Sequence, residues 1–526
     1  MPALKKLLLI LSASCLAVGS FAQPRYGDLV PLPVEQRMGE GEFVLNAATY
    51  VAAVPGDAQL CEYFFDRITL SALAPIWDNT VTLVIDATLE LPAEGYAIEI
   101  GRENIEITGK DRAGVCYGIE TLAQLATIGG RGEPVAAPIP CQTIIDYPRF
   151  AYRGMSLDVA RTFSDKQTVM RFIDNMARHK FNRLHWHLVD DEGWRIEIEG
   201  LPRLTSVGGF RGGDSPLKPV HGSGKARYGG YYTRDDIREV VNYAASRNIE
   251  IIPEIDLPGH SRAAAKAYPQ ILCDHPGPKP AAGDDERHVW CVTKESNYEL
   301  LDTILQEVAA LFPGDYIHVG GDEVDPKQWE SCPGCGSIIK EHSAEYLNGM
   351  FMTRLNEILA KHGKRQAVWN EAMNGGNLPA DVVVHGWENV EACIKSLSEG
   401  YRTVVMPSQY FYFDMKQSPS EPGYKWAGII DARRVYSFEL EAVGITPSLL
   451  RNVVGIEGAL WTELMYANGP GYLDYQTYPR MCALAEVAWT QQELRNWEDF
   501  KRRLDASHLG RLGGWGIGYR KAPEKK

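Results

Sequence analysis

Two adjacent carboxylic acids, Asp322 and Glu323, follow an apolar run in the stretch IHVGGDEV, residues 317–324. Two carboxylates are the usual groups for hydrolysing a glycosidic bond. Neighbouring residues of an extended chain, however, point to opposite faces. Alternation therefore predicts that Asp322 and Glu323 point apart, which leaves open what the second acid does.

Polar and aromatic residues also stand at the ends of other apolar runs in the second part of the chain. They are Asp190, Asp191, His260, Trp369, Glu371, Trp387, Tyr412, Asp414, Trp461 and Glu463. In a (β/α)8 barrel the C-terminal strand ends meet at one mouth, where the active site lies. Tryptophan faces pack on the C–H faces of a sugar, and carboxylates accept hydrogen bonds from its hydroxyls. The set predicts a sugar pocket. The alternative, acids that bind a hard cation, is disfavoured by the many tryptophans, so no metal is expected.

Eight apolar runs that alternate with amphipathic helices supply the strands of this barrel. They read AYRGMSLDVA, FNRLHWHLVD, IEIIPEIDLPG, YIHVGGDEV, RQAVWNEAM, DVVVHGWEN, RTVVMPSQY and VVGIEGALWTE. Such alternation indicates βα units around a parallel sheet. Eight units predict an α/β fold, a (β/α)8 TIM barrel over residues 147–526. An open doubly wound sheet is the alternative, but no run is followed by a glycine-rich phosphate loop.

Residues 23–146 show a different pattern, with short alternating runs such as VTLVIDATLEL and YAIEIGRENIEITG. These predict strands of an antiparallel or mixed sheet. The segment GVCYGIETLAQLATI has apolar residues at helical spacing. A small α+β domain is expected here, and because it contains no catalytic cluster it is interpreted as a structural companion of the barrel.

Residues 1–22 have the features of a secretory signal peptide. Lys5 and Lys6 precede an apolar run, and a small-x-small cleavage site ends at Ala22. The run is short of the ~20 apolar residues that span a membrane, and attachment of a lipid at Cys15 is the less favoured alternative. The sequence predicts export to the periplasm or the medium, without membrane insertion.

The formal charge of the whole chain is −14, and it becomes −16 without Lys5 and Lys6. A strongly acidic surface argues against nucleic acid or anionic membranes as partners. Charge neither supports nor opposes a neutral sugar as substrate, and the sequence leaves the oligomeric state open.

Nine of the ten cysteines lie beyond the predicted signal peptide. Cys273 and Cys291 flank a polar loop and form a plausible disulfide. Cys332 and Cys335 form a lone CxxC pair. Zinc sites of that type need two further ligands at recognisable spacing, and no second CxxC exists, so a disulfide or free thiols are favoured over a metal site or redox catalysis.

His185 and His187 form an HxH pair on the second predicted strand. Such a pair is able to bind zinc. Buried histidines that hydrogen-bond to their neighbours are the favoured interpretation.

Six motifs together resemble glycoside hydrolase family 20, the exo-acting β-N-acetylhexosaminidases. They read YRGMSLDVAR, FNRLHWHLVDDEGWRIEI, PEIDLPGH, HVGGDEV, SQYFYFDMK and EGALWTE. The resemblance extends over nearly the whole predicted mature chain, including the small first domain. It implies a substrate with a terminal, non-reducing β-linked N-acetylhexosamine, carried by an oligosaccharide or glycoconjugate, and it implies no cofactor.

The resemblance also implies catalytic roles. Glu323 is expected to be the general acid and base. Asp322 is expected to bind the N–H of the substrate's acetamido group, whose carbonyl oxygen attacks the anomeric carbon and forms an oxazolinium ion, with retention. Tyr412 would hydrogen-bond that oxygen. His260, oriented by Asp190, would tune the pKa of Glu323.

Further residues are expected to bind the sugar. The walls of the pocket would be Trp369, Trp387 and Trp461. The ring hydroxyls would be held by Arg153, Asp414 and Glu463. The long loop over residues 208–230 is expected to border the mouth.

Physical chemistry adds a pKa expectation: burial and a neighbouring carboxylate should raise the pKa of Glu323, while Asp322 should stay ionised. Two alternatives remain open. One is a related exo-glycosidase of the same fold that releases a disaccharide, as a lacto-N-biosidase does, or a modified hexosamine. The other is a glycan-binding protein without activity, for which an intact Asp322–Glu323 pair would have no use.

Overall fold

The computed structural model describes residues 28–70, 78–126, 138–274 and 288–521. The predicted signal peptide lies outside the described residues. Among the described residues, no helix is both long and apolar enough to cross a membrane.

The first domain is a six-stranded mixed sheet with two helices. Its strands are β1 (Glu35–Phe43), β2 (Tyr50–Val54), β3 (Thr80–Ile85), β4 (Tyr96–Ile100), β5 (Asn104–Gly109) and β6 (Ile139–Asp146), and its helices are α1 (Ala58–Arg67) and α2 (Arg112–Ala126). The strand order is β1-β6-β4-β5-β3-β2. Alternating residues such as Ile105 and Ile107 point inward, so the predicted α+β pattern is confirmed.

All eight predicted barrel strands are confirmed. They are β7 (Tyr152–Asp158), β8 (Arg183–His187), β13 (Glu250–Leu257), β14 (Tyr316–Gly320), β15 (Arg365–Trp369), β16 (Val383–Gly386), β17 (Arg402–Val405) and β18 (Val453–Leu460). They pair in parallel and close in the order β13-β14-β15-β16-β17-β18-β7-β8. Four short strands lie in the loops after β8: β9 (Val189–Asp190), β10 (Gly193–Trp194), β11 (Phe210–Arg211) and β12 (Tyr228–Gly229).

Helices surround the barrel and cover its strands. They are α3 (Lys166–Arg178), α4 (Arg203–Ser206), α5 (Arg234–Ser246), α6 (Arg262–Ala267), α7 (Glu295–Leu311), α8 (Lys327–Glu330), α9 (Pro333–Glu341), α10 (Ala344–Lys361), α11 (Val390–Ser398), α12 (Ser408–Phe411), α13 (Ala432–Tyr436), α14 (Pro447–Leu450), α15 (Met465–Asn468), α16 (Tyr472–Thr477), α17 (Arg480–Trp489), α18 (Trp497–Arg503) and α19 (Leu509–Gly514). Helix α3 is typical: Asp165 accepts a capping bond from the Thr168 N–H at 2.8 Å, and Val169, Ile173 and Met176 bury one face.

The interior of the barrel is polar as well as apolar. His185 contacts Glu457 at 2.9 Å and Glu254 at 3.1 Å, and all three side chains are buried. Burial opposes a charge on His185, but the two carboxylates outweigh it and raise the pKa of His185 to about 9. His187 is bonded to Glu254 and Asp190. The HxH pair is therefore buried and hydrogen-bonded, as the favoured interpretation holds.

The predicted Cys273–Cys291 disulfide is wrong for this structure, because all nine cysteines among the described residues are free thiols. Cys273 and Cys291 instead lie beside Cys332 and Cys335, with the four sulfurs within 4.8 Å of one another. The sequence contains no second CxxC pair, because the other two thiols are single cysteines that the fold brings together from another loop.

Candidate active site

The turn after β14 carries Asp322 and Glu323 into the barrel mouth. The strand ends at Gly320, and Gly320, Gly321 and Glu323 all have positive φ, at 72°, 104° and 46°. A side chain at Gly320 is excluded, since its Cβ would lie 1.7 Å from Asp256 Oδ1. Strand alternation was therefore the wrong reason for expecting the two acids to differ: both lie beyond the strand, in a left-handed turn.

His260 lies between the two acids and Asp190. Its Nδ1 donates to Asp190 Oδ1 at 3.1 Å, and its Nε2 is 3.5 Å from Glu323 Oε2 and 3.7 Å from Asp322 Oδ2. Asp190 is held in turn by His187 at 2.8 Å. The structure thus brings together the four residues of the predicted acid–histidine network.

The two acids differ in depth and in charge environment. The side chain of Asp322 is 12% exposed and that of Glu323 is 59% exposed. Burial raises the pKa of Asp322 well above its ordinary value, with a further contribution from Asp256. The imidazole of His260 lowers the pKa of Glu323. These directions are opposite to those predicted, because the turn buries Asp322 and places Glu323 within reach of the His260 imidazole.

His260 lies among several carboxyl groups that affect its pKa. Burial acts to lower its pKa, but Asp190, Asp256 and Asp322 outweigh burial and raise the pKa of His260 well above its ordinary value. Burial also raises the pKa of Asp256 to about 7. Three carboxyl groups, those of Asp190, Asp256 and Asp322, therefore act on the His260 imidazole at the base of the mouth.

Four aromatic rings form a cup beside Asp322. The ring centroids of Trp369 and Trp461 are 6.1 Å apart, as are those of Tyr412 and Trp461. Trp387 stacks on Tyr412 at 5.8 Å with 13° between the planes. All four come from the ends of different barrel strands, which is why residues far apart in sequence share one surface.

Asp414 and Glu463 lie at the polar side of the mouth. Burial raises the pKa of both carboxyls. The two groups are close enough that the charge of Glu463 raises the pKa of Asp414 further. Arg161 faces the same region: it covers Trp461 at 4.9 Å and pairs with Asp190 at 2.7 Å. Arg161 lies three residues beyond the end of β7, at the mouth end of the strand.

The prediction that Arg153 binds sugar hydroxyls is wrong. Arg153 is the second residue of β7 and lies at the end of the strand opposite to the mouth. Its guanidinium donates to Glu94 at 2.7 Å and to Tyr117 at 3.0 Å, both in the first domain. It also covers Trp489 at 4.9 Å. Arg153 joins the two domains, and the arginine of the mouth is Arg161.

Three buried carboxylate oxygens at the mouth have no hydrogen-bond partner in the part of the chain that the structure describes. They are Asp322 Oδ1, Asp414 Oδ1 and Glu463 Oε2. Leaving such an atom unpaired costs about 1–3 kcal/mol. Three unpaired oxygens around one aromatic cup indicate that a ligand supplies the N–H and O–H donors that bond to them.

Besides Arg161, two further residues of the site, Glu371 and Trp426, have no role among the predictions from sequence. Glu371 Oε1 accepts the backbone N–H of Glu323 at 3.2 Å, and its Oε2 accepts Trp387 Nε1 at 3.0 Å. Burial, with Asp322 beside it, raises the pKa of Glu371 to about 8. Its position at the end of β15 was the available signal. Trp426 is 57% exposed and meets Trp387 edge-on at 6.2 Å. No sequence signal distinguished it from a surface residue.

The glycine-rich loop over residues 208–230 borders the mouth, as predicted. His221 lies 3.4 Å from Glu192, which pairs with Arg161 at 3.4 Å. Tyr228 packs against Tyr466, with the ring centroids 4.7 Å apart. The loop therefore closes the polar side of the mouth.

Family models match almost the whole described chain. The model "Glycosyl hydrolase family 20, catalytic domain" matches residues 150–492, and "Glycosyl hydrolase family 20, domain 2" matches residues 27–147. The two matches meet where β6 ends and β7 begins.

Relatives and solved structures point the same way. A beta-hexosaminidase of Vibrio furnissii is 36% identical over 87% of this chain and 76% of its own length. One of Porphyromonas gingivalis is 33% identical over 94% of this chain and 64% of its own length. A GH20 exo beta-N-acetylglucosaminidase of Vibrio harveyi, solved with N-acetylglucosamine, superposes with a TM-score of 0.85 at 34% identity and covers 97% of this chain and 81% of its own.

Proposed function

The chain belongs to glycosyl hydrolase family 20 and is a glycoside hydrolase of the β-hexosaminidase type, and we propose that it releases a terminal, non-reducing β-linked N-acetylhexosamine with retention. The proposed nucleophile is the substrate's own acetamido oxygen, which forms an oxazolinium ion. A sugar without a 2-acetamido group would bring no nucleophile and would not be cleaved.

One observation carries this proposal: Asp322 and Glu323 share His260 but lie at different depths. The recessed Asp322 adjoins the aromatic cup, where an acetamido group would fit, and its unpaired Oδ1 is an acceptor for the amide N–H. The exposed Glu323 lies 3.5 Å from His260, toward the opening, where the leaving group would depart. Two carboxylates on the same bond would not need this arrangement.

The pKa directions fit these roles once a sugar fills the mouth. A bound ring shields Glu323 from water, which raises the pKa of Glu323 and favours the protonated acid. The acetamido N–H bonds to Asp322 and favours its ionised form. As positive charge develops on the oxazolinium ion, ionised Asp322 stabilises it. Glu323 protonates the glycosidic oxygen as the leaving group departs. It then removes a proton from the water that attacks the anomeric carbon and opens the oxazolinium ring.

The remaining residues of the mouth are assigned to binding. Tyr412 would donate to the acetamido oxygen, and Trp369, Trp387 and Trp461 would enclose the acetamido group and the ring. The ring hydroxyls would be bound by Arg161, Asp414 and Glu463. Glu371 is a positioning residue, since it holds the Glu323 backbone and the Trp387 ring at once.

The test is hydrolysis of p-nitrophenyl N-acetyl-β-glucosaminide and its galactosamine analogue, with p-nitrophenyl β-glucoside as the control that lacks the acetamido group. We expect turnover of the first two only, and tight inhibition by a thiazoline analogue of the oxazoline. Glu323→Gln should lower kcat on N-acetylglucosamine oligosaccharides by about 10²-fold or more while leaving binding of the product intact. Hydrolysis of the plain glucoside at a similar rate would show that the enzyme supplies its own nucleophile.

Export is part of the proposal and rests on residues 1–22 alone. Expression with this segment should place the protein in the periplasm or the medium, cleaved after Ala22. Retention in the cytoplasm with the segment intact would contradict it.

A further inference from the structure

Four cysteines from two separate loops converge behind the active site, outside the groups that the catalytic proposal uses. Cys273 follows α6, and Cys291 precedes α7. Cys332 and Cys335 begin α9. All four side chains are buried, and their sulfurs lie within 4.8 Å of one another. We propose that they form a structural zinc site, a centre with four thiolate ligands that fastens the loop after β13 to the segment after β14.

The distances fit one metal ion rather than two disulfides. Cys291 Sγ is 3.9 Å from Cys332 Sγ and 3.7 Å from Cys335 Sγ. Four thiolates at about 2.3 Å from zinc lie about 3.8 Å apart at the corners of a tetrahedron. A disulfide joins sulfurs at about 2.05 Å and would select one partner, whereas Cys291 is nearly equidistant from two.

The chain around the cysteines has the form of a chelating turn. Cys332 caps the N-terminus of α9, with Pro333 as the first helical residue, and the Gly336 N–H donates to the Cys332 carbonyl at 2.7 Å. Gly334 packs closely on this segment, since a Cβ there would lie 2.5 Å from Thr293 Oγ1. The turn that contains Cys332 and Cys335 therefore packs directly against the segment that carries Cys291.

The chemistry of the ligand set selects zinc. Four thiolates in a closed, tetrahedral, buried arrangement are typical of structural zinc. An iron–sulfur cluster would hold its four cysteines farther apart than one ion does. Binding would transfer the thiol protons to solvent, and coordination would protect four adjacent thiols from oxidation in an oxidising compartment.

The site would steady the catalytic loops. Trp290, next to Cys291, donates from Nε1 to Ser261 Oγ at 3.0 Å and from its backbone N–H to Pro258 O at 3.0 Å. Ser261 follows His260 directly. On the other side, Cys332 lies on the segment that continues from Glu323. This link to activity rests on the proposed function, but metal binding itself does not.

The test begins with metal analysis of the chain without its predicted leader, residues 23–526, purified without a metal-affinity tag. We expect one zinc per chain by mass spectrometry, and nine titratable thiols in denaturant with chelator and no reductant, since nine cysteines follow the predicted leader. Five thiols and no zinc would mean two disulfides and would overturn the proposal. So would nine thiols with no zinc after incubation with zinc salt, or stoichiometric iron instead of zinc.

Two cysteine variants test whether zinc binding depends on the four-cysteine cluster. Cys335→Ser should lose the zinc and lower the Tm by about 10 °C or more, whereas Cys61→Ser, a thiol outside the cluster, should keep one zinc and its Tm. If Cys335→Ser does not fold, the zinc content and the thiol count of the wild-type protein still test whether the four cysteines bind zinc. Zinc retained at full stoichiometry in a folded Cys335→Ser protein would contradict the assignment.

Discussion

His260 acts on both acids at the mouth, because it is bonded to Asp190 on one side and lies within 3.7 Å of Asp322 and Glu323 on the other. Protonated His260 lowers the pKa of Glu323 and opposes the rise that burial causes in the pKa of Asp322. Its own pKa depends on Asp190, the largest of the contributions that raise it. A substitution at Asp190 should therefore change the pKa values of Asp322 and Glu323 by changing the charge of the His260 imidazole.

We expect Asp190→Asn to move both limbs of the pH profile of kcat/KM to higher pH. Without the carboxylate the pKa of His260 falls, so the imidazole is neutral over more of the pH range and no longer lowers the pKa values of Asp322 and Glu323. Loss of direct repulsion between Asp190 and Glu323 acts the other way but is the smaller effect. The measurement is kcat/KM against pH. Asp191→Asn, one residue along, should shift the profile less, and an unmoved profile in Asp190→Asn would exclude this linkage.

The two arginines of β7 and its loop offer a second prediction at the residue scale. Arg161→Met should lower kcat/KM about 10- to 100-fold, because charge-assisted hydrogen bonds are worth about 1.5–3 kcal/mol. Arg153→Met should leave KM within about twofold and lower the Tm, because its partners lie between the domains. Steady-state kinetics and thermal melts of both variants measure these effects. A large loss of kcat/KM in Arg153→Met, with little change in Arg161→Met, would show that Arg153 and not Arg161 binds the substrate.

At the scale of the element, the turn after β14 places both acids. Its left-handed residues reverse the chain so that Asp322 faces inward and Glu323 faces the opening, a separation that an extended strand would not produce. Glu371, from the next strand along the barrel, secures the turn by accepting the Glu323 N–H. Strain at this point is sustained by the surrounding contacts.

We expect Gly320→Ala to be far more damaging than Gly363→Ala. Both glycines have nearly the same φ, 72° and 71°, so both variants bear a left-handed cost of about 1–2 kcal/mol. Only at Gly320 does the new methyl group meet Asp256, whereas Gly363 has open space. Gly320→Ala should lose more than about 3 kcal/mol of unfolding free energy and most of its kcat. Equal losses in denaturant melts would show that φ alone matters.

At the scale of the whole molecule, the first domain is joined to the bottom of the barrel by buried charges. Lys180 donates to Asp146 at 2.8 Å and to Tyr96 at 2.7 Å, and Trp489 donates to Asp146 at 2.9 Å. Burial lowers the pKa of Lys180 in spite of this pairing. The domain interface lies at the opposite end of the barrel from the mouth.

Lys180→Met should lower the unfolding free energy by about 3–5 kcal/mol, because it leaves the Asp146 charge buried without its cation. KM should stay unchanged, since the mouth is remote. The double variant Lys180→Met with Asp146→Asn removes the orphaned charge and should recover part of the loss. Denaturant unfolding with kinetics on the same samples measures both, and a raised KM would connect the interface to the mouth.

Sequence alone was sufficient for features that depend on local pattern. The alternation of apolar strands and amphipathic helices predicted all eight barrel strands, because a buried parallel strand and its covering helix each leave a periodic signature. Strand-end chemistry predicted that Asp322, Glu323, His260 and Asp190 would gather at one mouth, because all strands of a barrel run the same way.

Only the tertiary structure decided what depends on depth, direction and distant partners. Arg153 and Arg161 are eight residues apart on the same motif, and only the direction of β7 assigns Arg153, near its first residue, to the interface and Arg161, beyond its last residue, to the mouth. The pKa directions of Asp322 and Glu323 follow from a turn that buries Asp322 and brings Glu323 beside His260. Cys273 and Cys291 meet Cys332 and Cys335 because two loops of the closed barrel lie side by side, a proximity that spacing along the chain does not contain.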